Sequence, residues 1–64
     1  MKVSDIVEKL GGTAKTAEIF GVGPSAVSNW KAAERFPARL HYRIAKELRA
    51  RRIKADERLF EVAA

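Results

Sequence analysis

Glycine and proline set the joints of this chain. The four glycines and two prolines all fall within its first 37 residues, at Gly11, Gly12, Gly21, Gly23, Pro24 and Pro37. The runs between them are short, and their apolar residues recur at helical spacing. Val3, Ile6, Val7 and Leu10 share one helical face; Ser4 is placed to cap that helix and Gly11-Gly12 to stop it. Asp5 and Glu8 lie in its early turns, where the helix dipole favours negative charge. Thr13 is the next N-cap candidate, followed by Ala14 to Phe20, with Gly21 able to leave the helix in the left-handed conformation. Pro24 suits the first turn of a third helix, because its missing N–H would be unpaired there anyway. That helix is expected to run through Trp30 to about Ala33. Glu34-Arg35-Phe36 reads as a loop, and Pro37 as the start of a longer fourth helix to about Arg51. Leu40, Ile44, Ala45 and Leu48 form its buried stripe. Asp56 is placed to cap a short fifth helix holding Leu59, Phe60 and Val62. No segment alternates as a half-buried strand would. The pattern predicts an all-α single domain over residues 1–64, built from five short helices.

The 64 residues include no cysteine, so neither a disulfide nor a thiolate metal site can staple the fold. A domain of this size buries roughly 60% of the surface its unfolded chain exposes and is marginally stable. Its 47% hydrophobic and 33% charged residues are ordinary for a globular chain. The N-terminus has no apolar signal region, and no run approaches the roughly 18 apolar residues of a membrane span. A cytoplasmic location and no membrane partner are the expectations. The formal charge is +5 and the pI about 10.1. From Lys31 to Lys54 there are nine basic residues against Glu34 and Glu47. Such a balance favours a nucleic acid or an anionic lipid as partner.

Two short helices around a tight glycine turn form a helix-turn-helix when the second can enter a major groove. Ala17 is small where the helices must cross, and Phe20, Val22, Val27 and Trp30 supply the apolar contacts between them. With Pro24 at zero and about 100° per residue, Ala26, Val27, Trp30 and Ala33 fall between roughly 180° and 300°. Pro24, Ser25, Ser28, Asn29 and Ala32 fall opposite, and Lys31 lies at the border. The third helix thus has one face to anchor it and one slim polar face. Asn29 suits adenine N6 and N7, Ser28 can serve several bases, and Lys31 is placed to reach a guanine or a phosphate. Phosphate contacts are expected at the start of the second helix, from the free N–H groups near Thr13 and Ala14, the hydroxyls of Thr13 and Thr16, and Lys15. Arg35 and Arg39 would grip the backbone on the far side.

The stretch from Thr13 to Lys31, TAKTAEIFGVGPSAVSNWK, resembles the phage Cro and repressor family of helix-turn-helix proteins, as do Phe36-Pro37 and the later Arg43-Ile44. The stretch covers about a third of the chain. The resemblance implies a lambda-repressor-like DNA-binding domain that represses transcription in a phage or prophage switch within a bacterial host. It implies a weak homodimer on a palindromic operator in double-stranded DNA. It places base contacts at Gly23, Pro24, Ser25, Ser28 and Asn29. Family members often carry Gln or Lys at some of these positions, where this chain has Gly, Pro and Ser. DNA shape is therefore expected to share in the specificity.

Catalysis is not expected: no Ser/His/Asp set, paired-carboxylate pocket or phosphate-binding glycine loop is present. His41 has no second His or Cys with which to share a metal, and a half-buried structural role is expected for it. No metal, cofactor or small-molecule ligand is implied. Phe36 in its loop and Tyr42 off the apolar stripe read as exposed aromatics, and the dimer interface is expected around Phe36 and the start of the fourth helix. Phe60 reads rather as closing the edge of the core. Two other functions fit the composition. One is a small RNA-binding or non-specific nucleic-acid protein dominated by the basic second half. The other is an antitoxin-like or adaptor module that keeps the fold without using the groove face.

Overall fold

The first helix begins where its apolar stripe begins. In the computed structural model, which describes residues 2–60, α1 spans Val3–Lys9. Val3 must be in helical register with Ile6, Val7 and Leu10 for all four to be buried, and they are. Ser4 therefore lies inside the helix rather than capping it. Lys2 precedes the helix in extended conformation, and the Asp5 carboxylate accepts its backbone N–H at 3.0 Å. α2 spans Thr13–Phe20 and α3 spans Pro24–Ala33. Helix α2 starts at Thr13 itself, with Gly12 before it.

The fourth helix departs from expectation at its start. Pro37 is extended, with φ −69° and ψ 139°, and a 3-10 turn over Ala38–Leu40 leads into α4, His41–Ala50. The cause lies one residue earlier. Phe36 precedes a proline, which biases it towards extended backbone, and it uses that conformation to form an isolated parallel bridge with Phe60. Its N–H donates to the Leu59 carbonyl. The chain cannot coil until it has left that bridge. The described part of the expected fifth helix is a 3-10 turn, Glu57–Leu59. Asp56 accepts the Arg58 backbone N–H at 2.9 Å, and this bond holds its carboxyl below the ordinary carboxylate range. Val62 lies outside the described residues. The architecture is thus all-helical, with four α-helices and no strands among the described residues.

All four helices end in the same way. The residue that leaves each one has positive φ: Gly11 (109°), Gly21 (66°), Glu34 (55°) and Arg52 (57°). The N–H of that residue donates to the carbonyl three positions back, and the next N–H reaches five back. At Gly21 and Val22 the acceptors are Glu18 at 3.3 Å and Ala17 at 2.9 Å; at Glu34 and Arg35 they are Lys31 at 3.3 Å and Trp30 at 3.2 Å. At Arg52 and Ile53 they are Arg49 at 3.0 Å and Leu48 at 2.8 Å. These paired bonds are the Schellman pattern, which satisfies carbonyls that a helix end would otherwise leave bare.

The core is strung along a row of rings. Phe20 lies 6.2 Å from Trp30, Trp30 5.9 Å from Phe36, and Phe36 5.3 Å from Phe60, by ring centroids. The expectation that Phe36 is an exposed interface residue is overturned, since its exposure is 0%. The left-handed Glu34 turns the loop inward, and the bridge to Phe60 holds it there. Fully burying such a ring contributes about 1.5–3 kcal/mol. Val27, Ile44 and Leu48 complete the centre with the α1 stripe.

Two measurements check this account. In thermal unfolding, Phe36→Ala should lose about 3–5 kcal/mol, enough to unfold much of a domain this small, whereas an exposed Phe36 would make it nearly silent. Glu34→Gly should stabilise and Gly21→Ala destabilise, each by about 1 kcal/mol, because an L side chain is disfavoured in the left-handed region. At this chain length that is a shift of roughly 4–8 °C in opposite directions.

Candidate nucleic-acid interface

Helix α3 is held by its back. Val27 and Trp30 are buried and Ala26 is half-buried against the core. Gly23, Pro24, Ser25, Ser28, Asn29 and Ala32 are all exposed. The angular division drawn from the sequence therefore places every one of these side chains on the correct side. Ala33 is the exception: it is exposed because the helix ends there and the chain turns away. Pro24 opens the helix, and the Gly23 carbonyl accepts the Ala26 N–H at 3.0 Å. Ala17 and Phe20 on α2 are buried, and Val22 is packed against the core. The result is a slim surface of small polar groups that projects from a rigidly seated helix.

Thr13 apart, the residues assigned to phosphate contact divide into three groups. Ala14, Lys15 and Arg39 are exposed. Thr16 is not available. Its side chain has 0% exposure, and its hydroxyl donates to the Val7 carbonyl at 3.4 Å. It lies four residues before Phe20, on the helical face that packs inward, so an angular count of α2 would have found it. Arg35 is exposed but engaged, since its guanidinium donates to the Arg58 carbonyl. It ties the loop to the C-terminal segment instead of standing free beyond α3.

Lys31 and Thr13 form the feature that sequence spacing could not reveal. The Lys31 ammonium donates to Thr13 Oγ1 at 2.9 Å, across 18 positions of chain. This draws Lys31 away from Ser28 and Asn29 and onto the start of α2. The first N–H groups of α2 have no intrahelical partner, and there the ammonium, the Thr13 hydroxyl and those donors converge. Ser4, Asp5, Glu8, Gly12, Thr13 and Lys31 line one surface groove. Two carboxylates of α1 thus border the same spot and temper its positive field.

Elsewhere, the His41 ring lies 4.2 Å from Phe60, yet the residue is exposed rather than half-buried. Among the described residues no group of His, Cys, Asp or Glu could hold a metal ion. None of the described helices is long and apolar enough to cross a membrane. Compared with protein-family models, with curated proteins and with solved structures, the chain matches none.

The burial of Thr16 gives a direct test. Thr16→Val keeps the shape and removes only the hydroxyl. The Val7 carbonyl still accepts N–H groups from Gly12 at 2.9 Å and Leu10 at 3.2 Å. Stability should therefore change by less than about 1 kcal/mol, and affinity for any duplex should not change. A loss of affinity in a filter or anisotropy assay would place the hydroxyl at the interface after all.

Proposed function

We propose that this chain is a sequence-specific DNA-binding transcriptional regulator of the helix-turn-helix kind: a Cro-like repressor that binds a palindromic operator as a dimer. The observation that carries the reading is the two-faced α3, anchored by Val27 and Trp30 and exposing Ser25, Ser28 and Asn29. It follows α2 through a left-handed Gly21. A helix seated in this way suits entry into the major groove, which is wide enough to admit it. The net charge of +5 supports association with the phosphate backbone.

In this reading Asn29 and Ser28 exchange hydrogen bonds with base edges, and the backbone at Gly23, Pro24 and Ser25 approaches the DNA closely. Lys31 joins Thr13, Ala14 and Lys15 as a phosphate contact at the start of α2, which fixes register but reads no sequence. Arg39 is the exposed cation on the other flank. The two copies of α3 in a dimer would lie about one helical turn, roughly 34 Å, apart. With Phe36 buried, its ring is not free to form the dimer contact.

Selection from random duplexes, followed by titration of the winner, tests the proposal. Asn29→Ala or Ser28→Ala should weaken the selected site by about 1–3 kcal/mol and leave random duplexes nearly unaffected. Lys15→Ala should weaken every duplex alike and lower the salt slope by about one. Equal loss on all sequences for Asn29→Ala would leave a non-specific nucleic-acid protein in place of a repressor.

A further inference from the structure

Helix α4 carries a surface that duplex reading by α3 does not use. Counting about 100° per residue from His41, the buried Ile44 and Leu48 fall at roughly 300° and 340°. The opposite side holds Arg49, Tyr42, Lys46 and Arg43, and all four are exposed. Tyr42 is 69% exposed, alone among the large hydrophobic residues described. The one acidic residue of α4, Glu47, is at the edge of this face and pairs with Arg51 at 3.3 Å.

This arrangement works against the helix that bears it. Arg43 and Lys46, and Lys46 and Arg49, are three apart, and like charges at that spacing destabilise a helix by about 0.2–0.5 kcal/mol per pair. Arg43 also lies in the first turn, where the dipole favours anions, and that turn has no acidic residue. Nothing in the packing of the fold requires these residue types here. A local cost without structural return marks a surface kept for a partner.

The geometry points to single-stranded nucleic acid as that partner, held on α4 with an unpaired base stacked on Tyr42 and its phosphates on Arg43, Lys46 and Arg49. The charge complement is a polyanion. The exposed phenol ring then selects among polyanions. A duplex keeps its bases stacked inside and offers the ring only sugar and phosphate, whereas a single strand offers the face of a base. An anionic membrane is less suited, because the apolar face of α4 is already buried in the core and only one ring is left to insert. The three cations span seven residues, six steps or about 9 Å of helix axis, which matches a short strand contacting a few phosphates. DNA and RNA share this chemistry.

Anisotropy titration of the full chain with labelled oligothymidylate and oligouridylate tests the assignment. The affinity should fall with salt at a log–log slope near −2, as expected for about three single-strand phosphates. Tyr42→Ala should bind about ten-fold more weakly and Tyr42→Phe as well as the parent, since the stacking face is what matters. The combined Arg43→Gln, Lys46→Gln and Arg49→Gln variant should lose the salt dependence. All four side chains are exposed, so circular dichroism should show these variants folded, and Tyr42→Ala should still read the selected duplex. Unchanged strand binding by Tyr42→Ala, or an unchanged salt slope in the triple variant, would overturn the proposal. So would equally tight binding to phosphatidylglycerol vesicles, or a dimer that sediments as monomer once Tyr42 is removed. Loss of duplex selectivity in Asn29→Ala with strand binding intact bears only on the α3 reading, so the two ideas fail separately.

Discussion

Phe36 sits between Trp30 and Phe60, and most of the fold is arranged around that contact. It joins α3 to the C-terminal segment, which has no α-helix of its own in the described residues and is held by the bridge and the ring stack. Through Trp30 the same contact reaches Phe20 on α2. The consequence for the candidate interface is mechanical. The slim face of α3 can be presented in a fixed orientation only because its opposite face is locked into this row of rings. In a chain with no disulfide to help, aromatic burial supplies the rigidity.

The helix ends are the second organising device. Four left-handed residues, each with its pair of backbone bonds, turn the chain sharply enough to fit four helices into an extent of 28 × 25 × 20 Å. At two of them glycine removes the steric penalty. At Glu34 and Arg52 it remains, and the surrounding packing bears it. Each of these turns is followed by a residue that the core needs: Phe36 shortly after Glu34, and Ile53 directly after Arg52.

These features also mark how much the sequence revealed. Periodicity exposed the α1 stripe, the two faces of α3 and the stripe of α4, because burial on one side of a helix writes a repeat into the chain. Glycine exposed two of the four helix ends; Glu34 and Arg52 carry no such signal, since tertiary packing imposes their conformation. The candidate surface was legible wherever a residue's exposure follows from its own helix, as for Ser28 and Asn29. It was not legible where two distant segments meet. The tie between Lys31 and Thr13, the capture of Arg35 by the Arg58 carbonyl and the inward turn of Phe36 all depend on contacts across many residues. Thr16 falls between these cases: its burial followed from spacing, but its hydroxyl suggested solvent.

Trp30 is the single tryptophan of the chain, and its position has an optical consequence. Its indole is on the reverse of the helix that bears Ser28 and Asn29, and it touches Phe20 on one side and Phe36 on the other. The molecule therefore carries one intrinsic fluorophore at the junction of three segments. Its emission reports together on the seating of α3, the closure of the loop after it and the docking of the C-terminal segment, without any label on the exposed face of that helix.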